Sequence, residues 1–177
     1  MGLNFGLYIT NSVSGGIAPF NLFFEQLICD SIVSDACRID TVFRAYFSKS
    51  WFSSAQVYGM HILDNGCREI TLQDCVVMGN MTSGINVVSS ATKPSTNVKI
   101  MACAIENNGS AGIAIQQYTT DCTIVGNSFG WPETTGVFIG TNCDWYIITN
   151  NNFHGISTPI DNNSTGAAHQ ALANNLS

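Results

Sequence analysis

The sequence predicts an all-β fold: a single-stranded, right-handed parallel β-helix with three short strands per coil and roughly six to seven coils. Three observations lead to this fold class. Apolar side chains recur every 24 residues, a bend residue follows each of them by three positions, and a strand that begins with glycine recurs in the same frame. We assign residues 21–177 to the β-helix and residues 1–20 to an N-terminal strand or cap, and we expect the chain to be truncated from a longer protein.

The first strand of each coil carries the row that defines the period. This row contains Ile100, Ile124, Ile148 and Leu172. Three residues later stand Cys103, Asn127, Asn151 and Asn175, and two residues after these comes a second apolar row with Ile105, Phe129 and Phe153. Asparagines stacked at one bend should form a hydrogen-bonded ladder, because asparagine tolerates the left-handed conformation that bends require. Going backwards, the same frame is assigned to Leu72/Cys75/Val77, Val42/Ala45/Phe47 and Phe24/Leu27/Cys29.

The third strand follows a glycine in four coils, with the sequences GMHI, GINV, GIAI and GVFI beginning at Gly59, Gly84, Gly112 and Gly136. A coil of 24 residues is too short for a strand–helix–strand unit, which needs about 30 residues. It suits three strands separated by bends, with successive coils stacked about 4.8 Å apart. The segment 167–173 has helical propensity, but Leu172 and Asn175 fall on the repeat, so we predict a strand there.

Composition excludes several functional classes. Apolar residues make up 45% of the chain and charged residues only 10%, against about 25% in an average globular domain. The net charge of −6 argues against a nucleic-acid partner, and the lack of a long apolar run argues against membrane insertion. Seven cysteines without CxxC or zinc-site spacing predict buried free thiols in a protein made in a reducing cytoplasm, and no metal or cofactor is expected.

The carboxylates are the candidate catalytic groups. Glu69 and Asp121, like Asn97 between them, lie three residues before a core position, and Asp144 lies four residues before the next one. Stacked coils would separate Glu69 from Asp121 by about 9–10 Å and Asp121 from Asp144 by about 5 Å. These separations approximate inverting and retaining glycosidase pairs, respectively. Glu133, in a loop, is a fourth candidate acid. The alternative is that all four are polar groups at bends.

Four aromatic residues of the last coils are candidate substrate-binding groups: Tyr118, Trp131, Phe138 and Trp145. Flat rings pack against the apolar faces of sugars. A subunit interface or loops that fold back on the solenoid would use the same rings, and all three possibilities remain open. Lyase chemistry would need a basic residue such as Arg44, Arg68 or Lys99 with a metal-binding acid, and the sequence offers no such acid cluster. His61 is expected to face solvent or a partner.

Three segments resemble the pectin-lyase-like parallel β-helix superfamily: NVKIMACAIENNGSAGIAI (97–115), CTIVGNSFGWPETTGVFI (122–139) and WYIITNNN (145–152). The resemblance covers roughly residues 20–177 and is greatest to the β-helix regions of bacteriophage tail spikes and capsular depolymerases. It implies a homotrimer on a virion that engages a surface polysaccharide. It is specific for fold and weak for activity, since the superfamily contains hydrolases, lyases, epimerases and adhesins.

Three functions follow as hypotheses from these observations. The first is a virion-associated spike segment that recognises a cell-surface polysaccharide, synthesised in the host cytoplasm, with a secreted protein as the alternative location. The second is a polysaccharide-degrading enzyme, a hydrolase rather than a lyase, so that enzymatic activity is left open. The third is a structural spike shaft whose outward apolar residues are trimer contacts.

Overall fold

The structure, a computed structural model, describes residues 3–10, 18–63, 66–130, 133–165 and 169–176. In these ranges the chain is a parallel β-solenoid of about six turns with a period of about 24 residues, which confirms the predicted fold class. The strands within them are β1 Leu7–Thr10, β2 Phe20–Glu25, β3 Ile28–Asp30, β4 Cys37–Asp40, β5 Phe43–Ser48, β6 Trp51–Ser53, β7 Met60–Ile62, β8 Arg68–Gln73, β9 Val76–Met78, β10 Ile85–Val87, β11 Thr96–Met101, β12 Ala104–Glu106, β13 Ala111–Ile115, β14 Thr120–Val125, β15 Ser128–Gly130, β16 Thr135–Ile139, β17 Asp144–Thr149, β18 Asn152–His154, β19 Thr158–Asn162 and β20 Gln170–Ala173.

Every third strand belongs to the same sheet, so each coil contributes one strand to each of three parallel sheets. Sheet A has the order β1-β4-β7-β10-β13-β16-β19, sheet B the order β2-β5-β8-β11-β14-β17-β20, and sheet C the order β18-β15-β12-β9-β6-β3. Sheet B has the longest strands, of six residues in all but the last coil. It therefore offers the broadest continuous outer surface.

The row predicted from the 24-residue spacing is present in sheet B. Ile100 pairs with Ile124, Ile124 with Ile148, and Ile148 with Leu172, and the three isoleucines are fully buried. Segment 170–173 is a strand, as predicted. The assignment of Val42/Ala45/Phe47 was wrong, because Phe47 pairs with Leu72 rather than standing in the row of Val77.

The interior is filled by rows of aliphatic, aromatic and thiol side chains. Phe24 stacks on Phe47 with ring centroids 4.9 Å apart, and Phe129 stacks on Phe153 at 4.6 Å. All seven cysteines are buried and free, which confirms the prediction of core thiols. Burial raises the pKa of the Cys122 thiol to about 12, so that this sulfur is an inert apolar group at neutral pH.

The predicted asparagine ladder is present at the bend between sheets B and C. Asn127 Nδ2 donates to Ile100 O (3.0 Å) and to Asn151 Oδ1 (3.0 Å), while Asn127 Oδ1 accepts the Cys103 N–H (2.9 Å). Asn151 repeats this pattern with Asn175. Buried backbone groups at the bend, which no strand partner satisfies, are thus paired by side-chain amides.

Among the described residues, the structure contains no helix long and apolar enough to cross a membrane.

Candidate functional site

One column of side chains along sheet B departs from ordinary strand conformation. It lies at the second position of each strand in six successive coils, and every member has a positive φ between 55° and 61°. The members are Asn21, Arg44, Glu69, Asn97, Asp121 and Trp145. We call this set the left-handed column. The bend turns these side chains outward along the edge of sheet B, which is where the three stacked positions Glu69, Asn97 and Asp121 were expected.

Trp145 is the unusual member of this column. Asparagine and aspartate occupy the left-handed region at little cost, whereas a bulky side chain there is a genuine outlier that costs about 1–2 kcal/mol. Strand register places Asp144 opposite Thr120, so that Trp145, and not Asp144, stands next to Asp121 in the column. Since Arg44 and Glu69 share this conformation, it belongs to the bend of each coil, and the bend sets the position of the Trp145 side chain.

Neighbouring groups hold the Trp145 ring. His169, from the following coil, stacks on it with ring centroids 3.7 Å apart and an interplanar angle of 8°. Asp144 accepts three hydrogen bonds, from the Trp145 N–H (2.9 Å), the His169 N–H (2.9 Å) and His169 Nδ1 (3.1 Å). The bond from His169 holds the pKa of the Asp144 carboxyl below its ordinary value. Asp144 therefore fixes the Trp145 main chain and the His169 ring, and His169 in turn stacks on the indole.

A groove lies beside this ring. Asp121 and Asn97 of the preceding coils line it, together with His169 of the following coil. The groove has a volume of about 380 Å³ and includes Ile147 on its floor. Trp145 is 55% exposed and Ile147 46% exposed, so an apolar surface adjoins a carboxylate and an amide.

The groove continues toward the N-terminal coils through Asn97, which also borders a second recess of about 280 Å³. Here Arg44 Nε donates to Glu69 Oε2 (2.8 Å), and Arg44 also donates to Asn21 Oδ1 (3.0 Å). Lys99 lines the same recess and stands between Thr71 and Thr123 in the strand register. Together the two recesses, which we call the sheet B groove, follow the left-handed column.

The remaining predicted aromatic residues lie elsewhere. Phe138 is on β16 in sheet A, where it borders a separate recess with Ala114 and Gln116. Tyr118 is half-buried at the corner between sheets A and B and does not line the groove. Trp131 falls outside the described residues. The structure thus brings Asp121, Asp144 and Trp145 together, and it separates them from Phe138.

Glu133 ends a second ladder at the corner between sheets C and A. It is 2% exposed, and its Oε1 accepts from Asn108 Nδ2 (2.6 Å), just as Asn108 Oδ1 accepts from Asn80 Nδ2 (2.8 Å). Burial raises the pKa of the Glu133 carboxyl to about 8. A raised pKa suits a general acid, but this carboxyl is enclosed in the ladder and does not line the sheet B groove.

His61, which was expected to face solvent or a partner, stands at the outward position of β7, where neighbouring side chains shield it from solvent. Its side chain is 13% exposed, its Nδ1 lies 3.0 Å from Asp35 Oδ2, and its ring packs against Tyr58 at 4.6 Å. The Asp35 carboxylate, at a corner of the preceding coil, therefore shields the imidazole from solvent. Within the part of the chain that the structure describes, no group of three or more His, Cys, Asp or Glu side chains could hold a metal ion.

Sequence reasoning missed two features of the site. His169 follows Trp145 by 24 residues, so the repeat itself could have predicted the ring stack. The ladder of Asn80, Asn108 and Glu133 has spacings of 28 and 25 residues, because the connection between β10 and β11 is longer than in the next coils and Glu133 stands one position later in its coil. A constant period could not reveal it.

Comparisons with known proteins do not assign the chain to a family. No protein-family model matches it, and no curated protein matches it. Among solved structures, a trypsin-treated form of QnrB1, a plasmid-mediated fluoroquinolone resistance protein, is similar at 13% identity over 79% of this chain and 91% of that chain. The TM-score is 0.17, a value too low to carry an argument about fold or function.

Proposed function

We propose that the chain is a carbohydrate-recognition solenoid of the pectin-lyase-like kind, and that the sheet B groove binds a cell-surface polysaccharide. The observation that carries this proposal is Trp145: a large ring that stacks on His169, is 55% exposed and lines a groove with Asp121. Rings fixed in this way bind at low entropic cost, and their faces suit the C–H surfaces of sugars.

The polar groups of the left-handed column supply the second half of the argument. They recur at the coil spacing, about 4.8 Å, so that the six positions from Asn21 to Trp145 span about 24 Å. Amides and carboxylates at regular steps can accept hydrogen bonds from the hydroxyls of a repeating polymer, and amides can also donate to them. The negative net charge and Asp121 disfavour nucleic acid as the polymer.

We further propose that this solenoid belongs to a homotrimeric, virion-associated spike. The support is the resemblance of residues 97–115, 122–139 and 145–152 to tail-spike β-helices, together with buried free thiols that suit synthesis in a reducing cytoplasm. Exposed apolar side chains of the first coils, Phe20 and Phe23 among them, offer contacts between subunits.

We expect Trp145→Ala to weaken polysaccharide binding at least tenfold, because the ring provides the main apolar contact. The ligand would be found on an array of capsular, O-antigen and pectic glycans, and its affinity measured by calorimetry. Since Trp145 is exposed, its removal should change the melting temperature by no more than about 2 °C. Phe138→Ala is the matched control on sheet A and should bind like the wild type. Unchanged affinity in Trp145→Ala would refute the proposed role of the ring in polysaccharide binding. A lowered solution mass would also refute it and would identify Trp145 as a residue of a subunit interface.

A polysaccharide hydrolase is the second candidate, because Glu69 and Asp121 occupy the same column on either side of Asn97. Two coil steps separate them by about 9–10 Å, which leaves room for the water that an inverting mechanism uses. If this holds, incubation with the polysaccharide releases reducing ends, and Asp121→Asn lowers the rate by about a thousandfold. Asp161→Asn, on sheet A, is the control that should keep full activity. A rate equal to wild type in Asp121→Asn would eliminate this carboxylate as a catalytic group.

A further inference from the structure

The outer face of sheet C carries a second aromatic recess, far from the sheet B groove in the coil cross-section. It has a volume of about 550 Å³ and lies at the N-terminal coils. Its lining consists of Ile28, Asp30, Trp51, Ser53, Ser54, Met78, Gly79 and Asn107. Trp51 is 41% exposed and Ile28 75% exposed, so that the recess combines an open ring and an aliphatic side chain with hydroxyl, amide and carboxylate groups.

The Trp51 ring is held in place by a relay of hydrogen bonds. Trp51 Nε1 donates to Ser53 Oγ (2.7 Å), and Ser53 Oγ donates to Asp30 Oδ1 (2.5 Å). Ser31 Oγ donates to Asp30 Oδ2 (3.1 Å). These hydrogen bonds hold the pKa of the Asp30 carboxyl below its ordinary value, so the carboxylate is ionised at neutral pH. The ring is therefore oriented before any ligand arrives, which lowers the entropic cost of binding.

The chemistry of the lining restricts the ligand. Neither lysine nor arginine lines the recess, and Asp30 contributes a negative charge, so phosphates and acidic sugars would be repelled. An extended peptide could not add as a new strand at Trp51, because β6 is already paired with β3 on one side and β9 on the other. A neutral sugar satisfies both conditions, since its C–H face packs on a ring and its hydroxyls bond to carboxylate and amide oxygens.

We propose that the Trp51 recess is a second carbohydrate site, independent of the sheet B groove, and that it binds neutral sugar residues. The two sites differ in their charged groups: the sheet B groove has Arg44 and Lys99 beside Glu69 and Asp121, whereas Asp30 is the charged residue that lines the Trp51 recess. A polymer with both neutral and charged units could therefore contact both faces of one solenoid or bridge two solenoids. Two weak sites on one particle raise avidity without any new contact.

The test uses the full chain with Trp145→Ala as background, which removes the proposed main ring of the first groove. Saturation-transfer NMR and calorimetry would be run with neutral hexasaccharides of glucose, mannose and galactose, and with hexagalacturonate as the acidic comparison. We expect saturable binding of at least one neutral hexasaccharide and none of hexagalacturonate at this site. Adding Trp51→Ala should abolish that binding, and adding Ser53→Ala should weaken it about threefold to tenfold, because the ring is kept but loses its anchor.

The outcomes separate this site from the first. Equal binding by Trp145→Ala and by Trp51→Ala/Trp145→Ala would overturn the proposal, as would a preference for hexagalacturonate. A solution mass that falls on Trp51→Ala would also overturn it, and would identify the recess as a contact with a second copy of the chain. Because the groove on sheet B is tested by Trp145→Ala in the wild-type background, either site can fail while the other stands.

Discussion

Replacing Asn127 with alanine is expected to lower the free energy of unfolding by about 3 kcal/mol. The side chain pairs a buried N–H of Cys103 and a buried C=O of Ile100, and it also accounts for one of the bonds made by Asn151. Alanine leaves these groups unpaired inside the solenoid, and each buried unsatisfied group costs about 1–3 kcal/mol. Urea unfolding followed by circular dichroism measures the difference.

The control for this prediction is Asn152→Ala. Asn152 is exposed at the start of β18, close to the ladder but directed outward, and its replacement should cost less than about 0.5 kcal/mol. If Asn127→Ala and Asn152→Ala had equal stability, the ladder would be a consequence of coil stacking and not a cause of it.

Stability should fall as the pH rises from about 4.5 to 8, and Glu133 is the cause. Its Oε1 accepts from Asn108, in the role that Asn108 Oδ1 plays toward Asn80. Its Oε2 then stands where the ladder asparagines carry Nδ2, which Asn80 and Asn108 use to donate to backbone carbonyls. Gly112 shows the same equivalence: a Cβ there would lie 2.8 Å from Glu133 Oε2, as a Cβ at Gly84 would lie 2.8 Å from Asn108 Nδ2. Only a protonated carboxyl can donate from this position.

The sign of the pH effect follows from the two states of the chain. Burial raises the pKa of Glu133 to about 8 from 4.5, so between these values the folded protein keeps a proton that the unfolded chain has lost. Unfolding then releases a proton, and stability decreases by at most about 1.4 kcal/mol per pH unit. The contribution is fully present below pH 4.5 and lost by about pH 8. Melting temperatures measured across this range give the slope.

Glu133→Gln is the decisive variant for this prediction, because glutamine keeps the acceptor and supplies a permanent donor. It should be more stable than the wild type at pH 8 and should lack most of the pH dependence between 4.5 and 8. Asp74→Asn removes an exposed carboxylate at the corner between sheets B and C, serves as the control, and should retain the wild-type slope. A wild-type slope in Glu133→Gln would show that another group titrates.

The repeat could be predicted from the sequence wherever coils have equal length. The spacing of 24 residues located the row of Ile124 and the ladder of Asn127. It also predicted a strand near the C-terminus, where helical propensity alone favours a helix. The constant spacing failed for Phe47, because 25 residues separate Phe47 from Leu72. The bends that follow these two residues carry Ser50 and Cys75 instead of asparagine. Because no asparagine marks the bend, Val42, an apolar residue at the preceding corner, was assigned to the row of Leu72 that Phe47 occupies.

The site was predictable in part, for a related reason. The last coils of sheet B keep the 24-residue period, so Asp121 and Trp145, each three residues before a buried isoleucine, could be placed in one column. Asp144 lies one residue earlier, and the left-handed backbone conformation of the column has no signature in spacing. Glu133 stands one position later in its coil than Asn108 does and is not an asparagine, so it was interpreted as a loop acid although it ends a buried ladder.

The most direct test of the central claim is to follow Trp145 itself during binding. The chain has three tryptophans, so Trp51→Phe combined with Trp131→Phe leaves Trp145 as the sole indole. Titration of this variant with the polysaccharide that the wild type binds should produce a saturable blue shift in its emission, with an affinity within about threefold of the value that calorimetry gives for the same variant. Binding that calorimetry detects while the Trp145 emission stays unchanged would contradict the account.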